Sequence, residues 1–98
     1  DLPANITLIK SVINDNGGLK VPANFTMKID GGVVPQNTSV AVSANSGHTI
    51  DENPVSGYHF VSITGPAECP LVLGGTATLD EGEAITCTIT NSDDGGAQ

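Results

Sequence analysis

Apolar and polar residues alternate along most of this chain in short runs separated by turn residues. A period of two is typical of β-strands that have one face in a core and one in solvent. The runs end at strong turn signals such as 14–18 and 65–66. The segment 70–75 fits either a buried strand or a loop that plugs the core. The pattern predicts about seven strands, at 6–13, 25–30, 39–43, 47–52, 58–64, 76–79 and 84–91.

Composition favours the same all-β interpretation. The chain has ten Thr, twelve Gly and six Pro, and no helical apolar stripe is evident. With two Phe, one Tyr and no Trp, the core must consist largely of aliphatic side chains, which suits two thin layers better than a deep ligand cavity. We therefore predict one β-sandwich or small barrel over residues 1–98, with 1–5 and 92–98 as connector segments.

Three polar residues occupy strand positions whose neighbours of the same parity are apolar. Lys10 shares its face with Ile6, Leu8 and Val12, and Asn91 with Ile85, Cys87 and Ile89. Glu52 shares its face with Ile50 in the same way. An amine, a carboxamide and a carboxyl are thus expected to converge in an apolar interior, where an uncompensated charge is very unfavourable. Proton sharing between the groups would neutralise such a charge. A covalent reaction between them is the more specific hypothesis.

The two cysteines, Cys69 and Cys87, are too far apart for a CxxC motif and lack partners for a four-ligand zinc site. Because Cys87 lies on the core face of the last strand, a disulfide to Cys69 would pin the preceding Gly-rich loop onto the core and would require an oxidising compartment. The alternative is two buried free thiols in a reduced cytosolic protein. His48 and His59 carry no metal-ligand spacing, and we expect no metal and no cofactor.

The charge balance excludes one large class of partner. Three Lys and no Arg face eleven acids, for a formal charge of −8, so a phosphate-binding surface and a nucleic-acid partner are not expected.

No apolar run reaches membrane-spanning length, and we expect no direct membrane insertion. The chain opens without a signal-peptide pattern, so an exported protein would be a mature chain or an excised module. Three sequons, at Asn5, Asn24 and Asn37, are candidate glycosylation sites.

The residues so far described resemble a known family. Three runs are similar to the collagen-adhesin B-type repeat, also called the SpaA-like or prealbumin-like domain. They are 6–10, which ends in Lys10, 48–52, which ends in Glu52 and is followed by Pro54 and Gly57-Tyr58, and 87–91, which ends in Asn91. The resemblance covers nearly the whole chain and implies an Ig-like or prealbumin-like β-sandwich. Phe25 fits a subset of the family with a late cysteine pair. His48 departs from it, since Tyr is usual there, and the change is expected to loosen packing beside the carboxyl.

The resemblance implies an intramolecular isopeptide bond between Lys10 and Asn91, with Glu52 as its catalytic residue. Burial disfavours charge, so Lys10 would tend towards the nucleophilic amine and Glu52 towards the protonated acid. The amine would attack the Asn91 carbonyl carbon while Glu52 polarises the carbonyl and relays protons, until ammonia leaves. Such a self-modification has a single turnover, so the protein would not be an enzyme.

Each of these three residues has a simpler alternative. Lys10 could be an inward charge that discourages strand aggregation. Glu52 could be its salt-bridge partner, and Asn91 could end the last strand. The set as a whole favours the crosslink, and with it a structural module of an extracellular, cell-surface fibre, pilus or adhesin stalk. Its expected partners are copies of itself or neighbouring similar domains in a linear assembly.

A recognition module is the second hypothesis. It would bind glycan, matrix protein or calcium through its loops. The candidate ligand groups are the acidic turn formed by Asp80, Glu81 and Glu83, or the C-terminal pair Asp93 and Asp94. Neither cluster has EF-hand spacing, and a solvated acidic face explains both. A hydrolase is the weakest hypothesis, because no Ser-His-Asp set is evident.

Overall fold

A computed structural model describes residues 2–94, and within them the chain forms eight β-strands and a short 3₁₀ helix at Pro22–Asn24. The strands are β1 (Ala4–Ile13), β2 (Met27–Ile29), β3 (Gly32–Val34), β4 (Ser39–Val42), β5 (Gly47–Glu52), β6 (Tyr58–Thr64), β7 (Thr76–Thr78) and β8 (Ala84–Asp93). The all-β prediction is therefore confirmed. None of the helical structure in this part of the chain is long and apolar enough to cross a membrane.

The strands form two four-stranded sheets that pack as a β-sandwich. One sheet has the order β4-β1-β8-β6 and the other β3-β2-β5-β7. The first and last strands, β1 and β8, are adjacent and parallel, whereas the other pairs are antiparallel. Asn5 lies opposite Ala84 and Ile13 opposite Ser92. Because the two strands run the same way, β1 begins at one end of the sheet and β8 ends at the other.

The core lies between the sheets and follows the alternation in the sequence. In β1 and β8 every second residue is buried over most of the strand. The largest fully buried apolar side chains are Ile6, Leu8, Met27, Ile50, Leu79 and Ile89. Burial of this apolar surface is the main favourable term in folding. It also fixes strand register, because a slip by one residue would move every one of these side chains to the other face.

One local feature differs from the sequence expectation, and one alternative that the sequence left open is decided. Asp30 and Gly31 both have positive φ, 53° and 82°, and make a tight turn into β3, a strand the pattern did not predict. An Asp-Gly pair with two positive φ angles is a strong hairpin signal. The segment 70–75 is a loop, with Leu71 and Val72 exposed and Leu73 partly buried against the core. Gly74 and Gly75 tie it to β5 by two backbone hydrogen bonds with Ile50.

The strands at the chain ends extend into the expected connectors. Ala4 begins β1 and is fully buried, and Asp93 ends β8 and is 1% exposed. Ala4 pairs with Val42 of β4, so its backbone hydrogen bonds and its methyl group both favour the strand. The remaining connector residues 1 and 95–98 lie outside the described residues.

Candidate functional site

Lys10, Glu52 and Asn91 are all buried, and they lie together between the sheets. Lys10 is on β1 and Asn91 on the adjacent β8, whereas Glu52 ends β5 in the facing sheet. Their exposed fractions are 5%, 6% and 4%, and the side chains of Lys10 and Glu52 are almost fully enclosed. The inward orientation expected from strand parity is thus found at each position.

The Lys10 amine contacts both other members of the site. Its Nζ donates hydrogen bonds to Oε2 of Glu52 and to Oδ1 of Asn91. In the β1–β8 register Lys10 lies opposite Ile89 and Val12 lies opposite Asn91, so the side chains of Lys10 and Asn91 are diagonal neighbours on one face. Since Oδ1 is bonded to the side-chain carbonyl carbon of Asn91, the amine lies beside the atom that an isopeptide bond would join.

Burial also shifts the charge state of this amine. Desolvation lowers the pKa of Lys10, and the hydrogen bond and negative charge of Glu52 oppose that shift only in part. The Phe25 ring lies under the amine, with its centroid 4.6 Å from Nζ, and the ring face attracts the cationic form. Glu52 and the Phe25 ring thus stabilise the cation of Lys10. Burial still lowers its pKa, so the neutral, nucleophilic amine forms at a lower pH than in an exposed lysine.

An aromatic pair forms the wall of the site next to Lys10. Phe25 meets the Tyr58 ring edge to face, with centroids 5.4 Å apart and planes at 85°. The Tyr58 hydroxyl donates to Oδ1 of Asn14 and accepts from the Lys20 backbone N–H at 3.1 Å. The loop after β1 therefore holds the wall in place. In the sequence, Phe25 and Gly57-Tyr58 stand out only as features of the family. The sequence does not show that the two rings are in contact.

His48 is a structural residue with a specific set of partners. Its Nδ1 lies 2.6 Å from the Asp30 carboxylate and its Nε2 lies 2.7 Å from the Ser43 carbonyl oxygen. Both ring nitrogens face acceptors, which favours the doubly protonated ring. The Asp30 hydrogen bond, followed by that to Ser43, raises the pKa of His48, and the same contact with His48 lowers the pKa of Asp30. His48 thus fixes the start of β5, the strand that ends at Glu52.

A disulfide joins Cys69 to Cys87, 18 residues apart. Cys87 is fully buried on β8 and Cys69 lies in the loop after β6, so the bond attaches that loop to the last strand. Gly65 makes the approach feasible, because a Cβ there would lie 2.7 Å from the Cys69 sulfur. Cys87 and Asn91 project from the same face of β8, so one strand carries both a disulfide cysteine and the asparagine that contacts Lys10.

Reduction of this disulfide is expected to lower the free energy of unfolding by about 3 kcal/mol, because a loop of this length is no longer closed in the unfolded chain. Urea titrations with and without reductant measure the change. Hydrogen exchange should accelerate more in Pro70–Gly75 than in β1. Equal unfolding midpoints in the two titrations would contradict a stabilising role for the bond.

Four of the five acidic residues considered as ligand groups use their carboxylates within the fold. Glu83 accepts the Asp80 backbone N–H at 2.9 Å, and Glu81 accepts that of Leu2 at 3.2 Å. Both oxygens of Asp93 accept backbone N–H groups, and Asp94 is paired with His59. In the part of the chain that the structure describes, no group of three or more His, Cys, Asp or Glu could hold a metal ion. The calcium hypothesis therefore gains no support from this geometry.

The three sequon asparagines lie in different settings. Asn5 is half-buried within β1, whereas Asn24 and Asn37 are exposed. Asn24 uses its Oδ1 to accept the Val21 N–H at 2.9 Å, and Asn37 has a φ of 56° in a turn. Asn24 and Asn37 are thus on the surface, and glycosylation stays a prediction.

Comparison with protein families gives a match to the SpaA model described as a prealbumin-like fold domain, over residues 1–89. The matched region includes Lys10, Glu52 and both cysteines and ends two residues before Asn91. Searches against curated proteins and against solved structures gave no match. The family match and the two-sheet architecture agree on the fold.

Proposed function

Since this chain belongs to the SpaA family of prealbumin-like fold domains, we propose that it is a structural module that carries tension in an extracellular fibre, pilus or adhesin stalk at the cell surface. A self-formed isopeptide bond between Lys10 and Asn91 would complete it. The observation that supports this proposal is the contact of the buried Lys10 amine with both the Asn91 carbonyl oxygen and the Glu52 carboxyl.

The reaction needs only groups that the site contains. A proton passes from the Lys10 ammonium to the Glu52 carboxylate, which leaves a neutral amine and a neutral acid, a pair that tolerates burial well. The amine attacks Cγ of Asn91 while the acid donates a hydrogen bond to Oδ1. The C–N bond to Nδ2 then breaks, and the second amine proton reaches the leaving group through Glu52. One ammonia is released for each amide bond formed, and Glu52 ends as the neutral acid, because it keeps the proton that it took from the Lys10 ammonium.

Proximity supplies much of the rate. The folded sandwich holds nucleophile, electrophile and proton carrier in contact, and such an intramolecular arrangement replaces a collision between separate molecules. The surrounding aliphatic side chains and the Phe25–Tyr58 wall keep water away from the amine. The reaction occurs once per chain, so the product is a crosslinked fold and the module has a structural role.

The parallel pairing of β1 and β8 explains the value of a bond at this place. Tension that enters before β1 and leaves after β8 pulls the two strands past each other along their common direction. With the bond in place, the tension passes along β1 to Lys10, crosses to Asn91 and leaves along β8. The residues between them, about 80 in number, lie outside the path. The closed loop also adds on the order of 4 kcal/mol of stability by the chain-entropy model.

We further propose that the module works in a linear assembly with copies of itself or with similar domains. The start of β1 and the end of β8 lie at opposite ends of the first sheet, which suits a series connection. The disulfide suits an oxidising, extracellular setting. The formal charge of −8 favours solubility in that setting.

After reduction of the disulfide, the intact protein is expected to be one ammonia lighter than its sequence. Peptide mapping by tandem mass spectrometry should recover a branched peptide that joins the segments containing Lys10 and Asn91. Lys28→Ala is a matched control, because it removes a lysine of β2 outside the site and should keep the mass deficit. A full sequence mass for freshly folded protein would refute the crosslink and leave the buried salt bridge as the explanation of the site.

A further inference from the structure

Asp93 is a buried carboxylate at the end of β8, with an exposed fraction of 1%. Its Oδ2 accepts backbone N–H groups of Asn16 at 2.9 Å and Gly18 at 2.7 Å, and its Oδ1 accepts that of Asp15 at 3.2 Å. The Asn16 side chain donates in turn to the Asp93 carbonyl oxygen at 3.2 Å. The loop that follows β1 is thus wrapped around the last carboxylate of β8.

This arrangement stabilises the ionised form of a buried acid with main-chain donors. Burial by itself raises the pKa of Asp93, but the hydrogen bonds from Gly18 and Asn16 outweigh it, and the net shift is downward. The loop is shaped for the contact: Gly17 has a φ of 91°, and a Cβ at Gly18 would lie 2.8 Å from the Asp93 Cβ. We call this set, made of Asp93 and the N–H groups of residues 15, 16 and 18, the amide clasp.

The amide clasp joins the two strands that carry the reacting side chains. β1 carries Lys10 and leads directly into the clasped loop, and Asn91 precedes Asp93 by two residues on the same face of β8. Asn14 in that loop also accepts the Tyr58 hydroxyl, which backs the Phe25 ring against the amine. The clasp therefore lies just beyond the site and is continuous with its wall.

Apolar packing alone does not prevent one error in the pairing of β8 with β1. The core face of β8 repeats similar residues, with Ile85, Cys87 and Ile89 in alternate positions. A slip of two residues against β1 would keep this face in the core while moving Asn91 away from Lys10. The same slip would pull Asp93 out of its three N–H donors and leave a buried carboxylate without partners, which is strongly unfavourable.

We propose that Asp93 is a positioning residue for the crosslink: the amide clasp sets the β1–β8 register and holds the loop over the site before the bond forms. This inference rests on the proposed function, because it concerns the rate of the same reaction. Asp93 touches none of the reacting atoms, and it acts through the placement of Lys10 and Asn91.

The test is the rate of ammonia loss in newly made protein. Wild type, Asp93→Asn and Glu83→Gln are produced by cell-free synthesis. Samples are stopped at intervals and their intact mass is measured. Asp93→Asn turns an NH₂ group or a weaker acceptor towards the N–H donors, and the crosslink should form about tenfold more slowly. Glu83→Gln is the matched control, because Glu83 also accepts a backbone N–H, that of Asp80, but in the turn before β8 begins, and it should react at the wild-type rate.

Circular dichroism at the reaction temperature confirms that each variant is folded while its rate is measured. If Asp93→Asn does not fold, Asp93→Ser removes the carboxylate without placing an amide against the donors, and the same slowing is expected. Equal rates for wild type and either folded Asp93 variant would overturn the positioning role while leaving the crosslink intact. Equal slowing in Glu83→Gln would also overturn it, since the effect would then reflect general destabilisation. A wild-type protein that keeps its full mass would instead refute the proposed function, and the positioning role with it.

Discussion

Glu52→Gln protein is expected to keep its full mass, with Lys10 and Asn91 both unreacted. Glutamine preserves the shape of the side chain, but it cannot take the proton from the Lys10 ammonium or deliver one to the leaving ammonia. Loss of a positioned general acid and base slows a reaction by about 10²–10⁴-fold. The variant also leaves a buried lysine without its counter-charge, and removal of one partner of a buried pair destabilises by about 3–5 kcal/mol. Intact mass and urea unfolding measure the two effects.

Glu81→Gln is the appropriate control for this change. Glu81 is exposed and accepts the Leu2 N–H before β1 and β8 begin, whereas Lys10 and Asn91 lie near the other ends of these strands, so its variant should lose ammonia as wild type does. Complete crosslinking of freshly made Glu52→Gln protein would show that another group carries the protons. In that event Glu52 would be a partner of the Lys10 cation in the unreacted fold only.

Lys10→Met should convert an inextensible module into one that unravels under tension. Methionine fills much of the space of the lysine stem and cannot form the bond. The released segment of about 80 residues extends by about 3.4 Å per residue, and the disulfide withholds 18 of them, so the added length is about 200 Å in oxidised protein. Reduction should add about 60 Å more. Single-molecule stretching between terminal handles measures both steps.

The wild-type module should show neither step over the same range of force. Lys28→Met is the matched control, since Lys28 lies on β2 and outside the tension path. If wild type and Lys10→Met extended alike, the first and last strands would not be covalently joined. Chemical unfolding gives an independent measure, with Lys10→Met less stable by about 4 kcal/mol from loop closure alone.

Strand parity was enough to place the site. Lys10 and Asn91 lie in long strands whose alternate residues are buried, so their inward orientation follows from the pattern of their neighbours. The inward orientation of Glu52 follows from a single neighbour of the same parity, Ile50, which is fully buried. The β-sandwich and the SpaA-like family predicted from these runs are both confirmed. The bond itself stays a prediction until the mass is measured.

Other features depend on contacts between distant parts of the chain. The amide clasp links Asp93 to N–H groups about 75 residues earlier, and backbone donors leave no mark in a sequence pattern. The sequence therefore predicts a connector residue and a candidate cation ligand at Asp93, whereas its oxygens accept hydrogen bonds inside the fold. The Asp30–Gly31 turn did carry a local signal, but it was interpreted as the end of a strand and not as the centre of a hairpin. The loop 70–75 is apolar in sequence, yet Leu71 is 81% exposed.

The order of the strands along the chain has a consequence for damage by proteases. Every connection between strands lies between Ile13 and Ala84, and so falls inside the ring that a Lys10–Asn91 bond would close. A single cut in any of these loops, including the exposed one around Leu71, opens the ring without separating the two ends of the module. A fibre built this way would survive nicking of its surface loops, because each nicked unit still connects its neighbours through an unbroken covalent path.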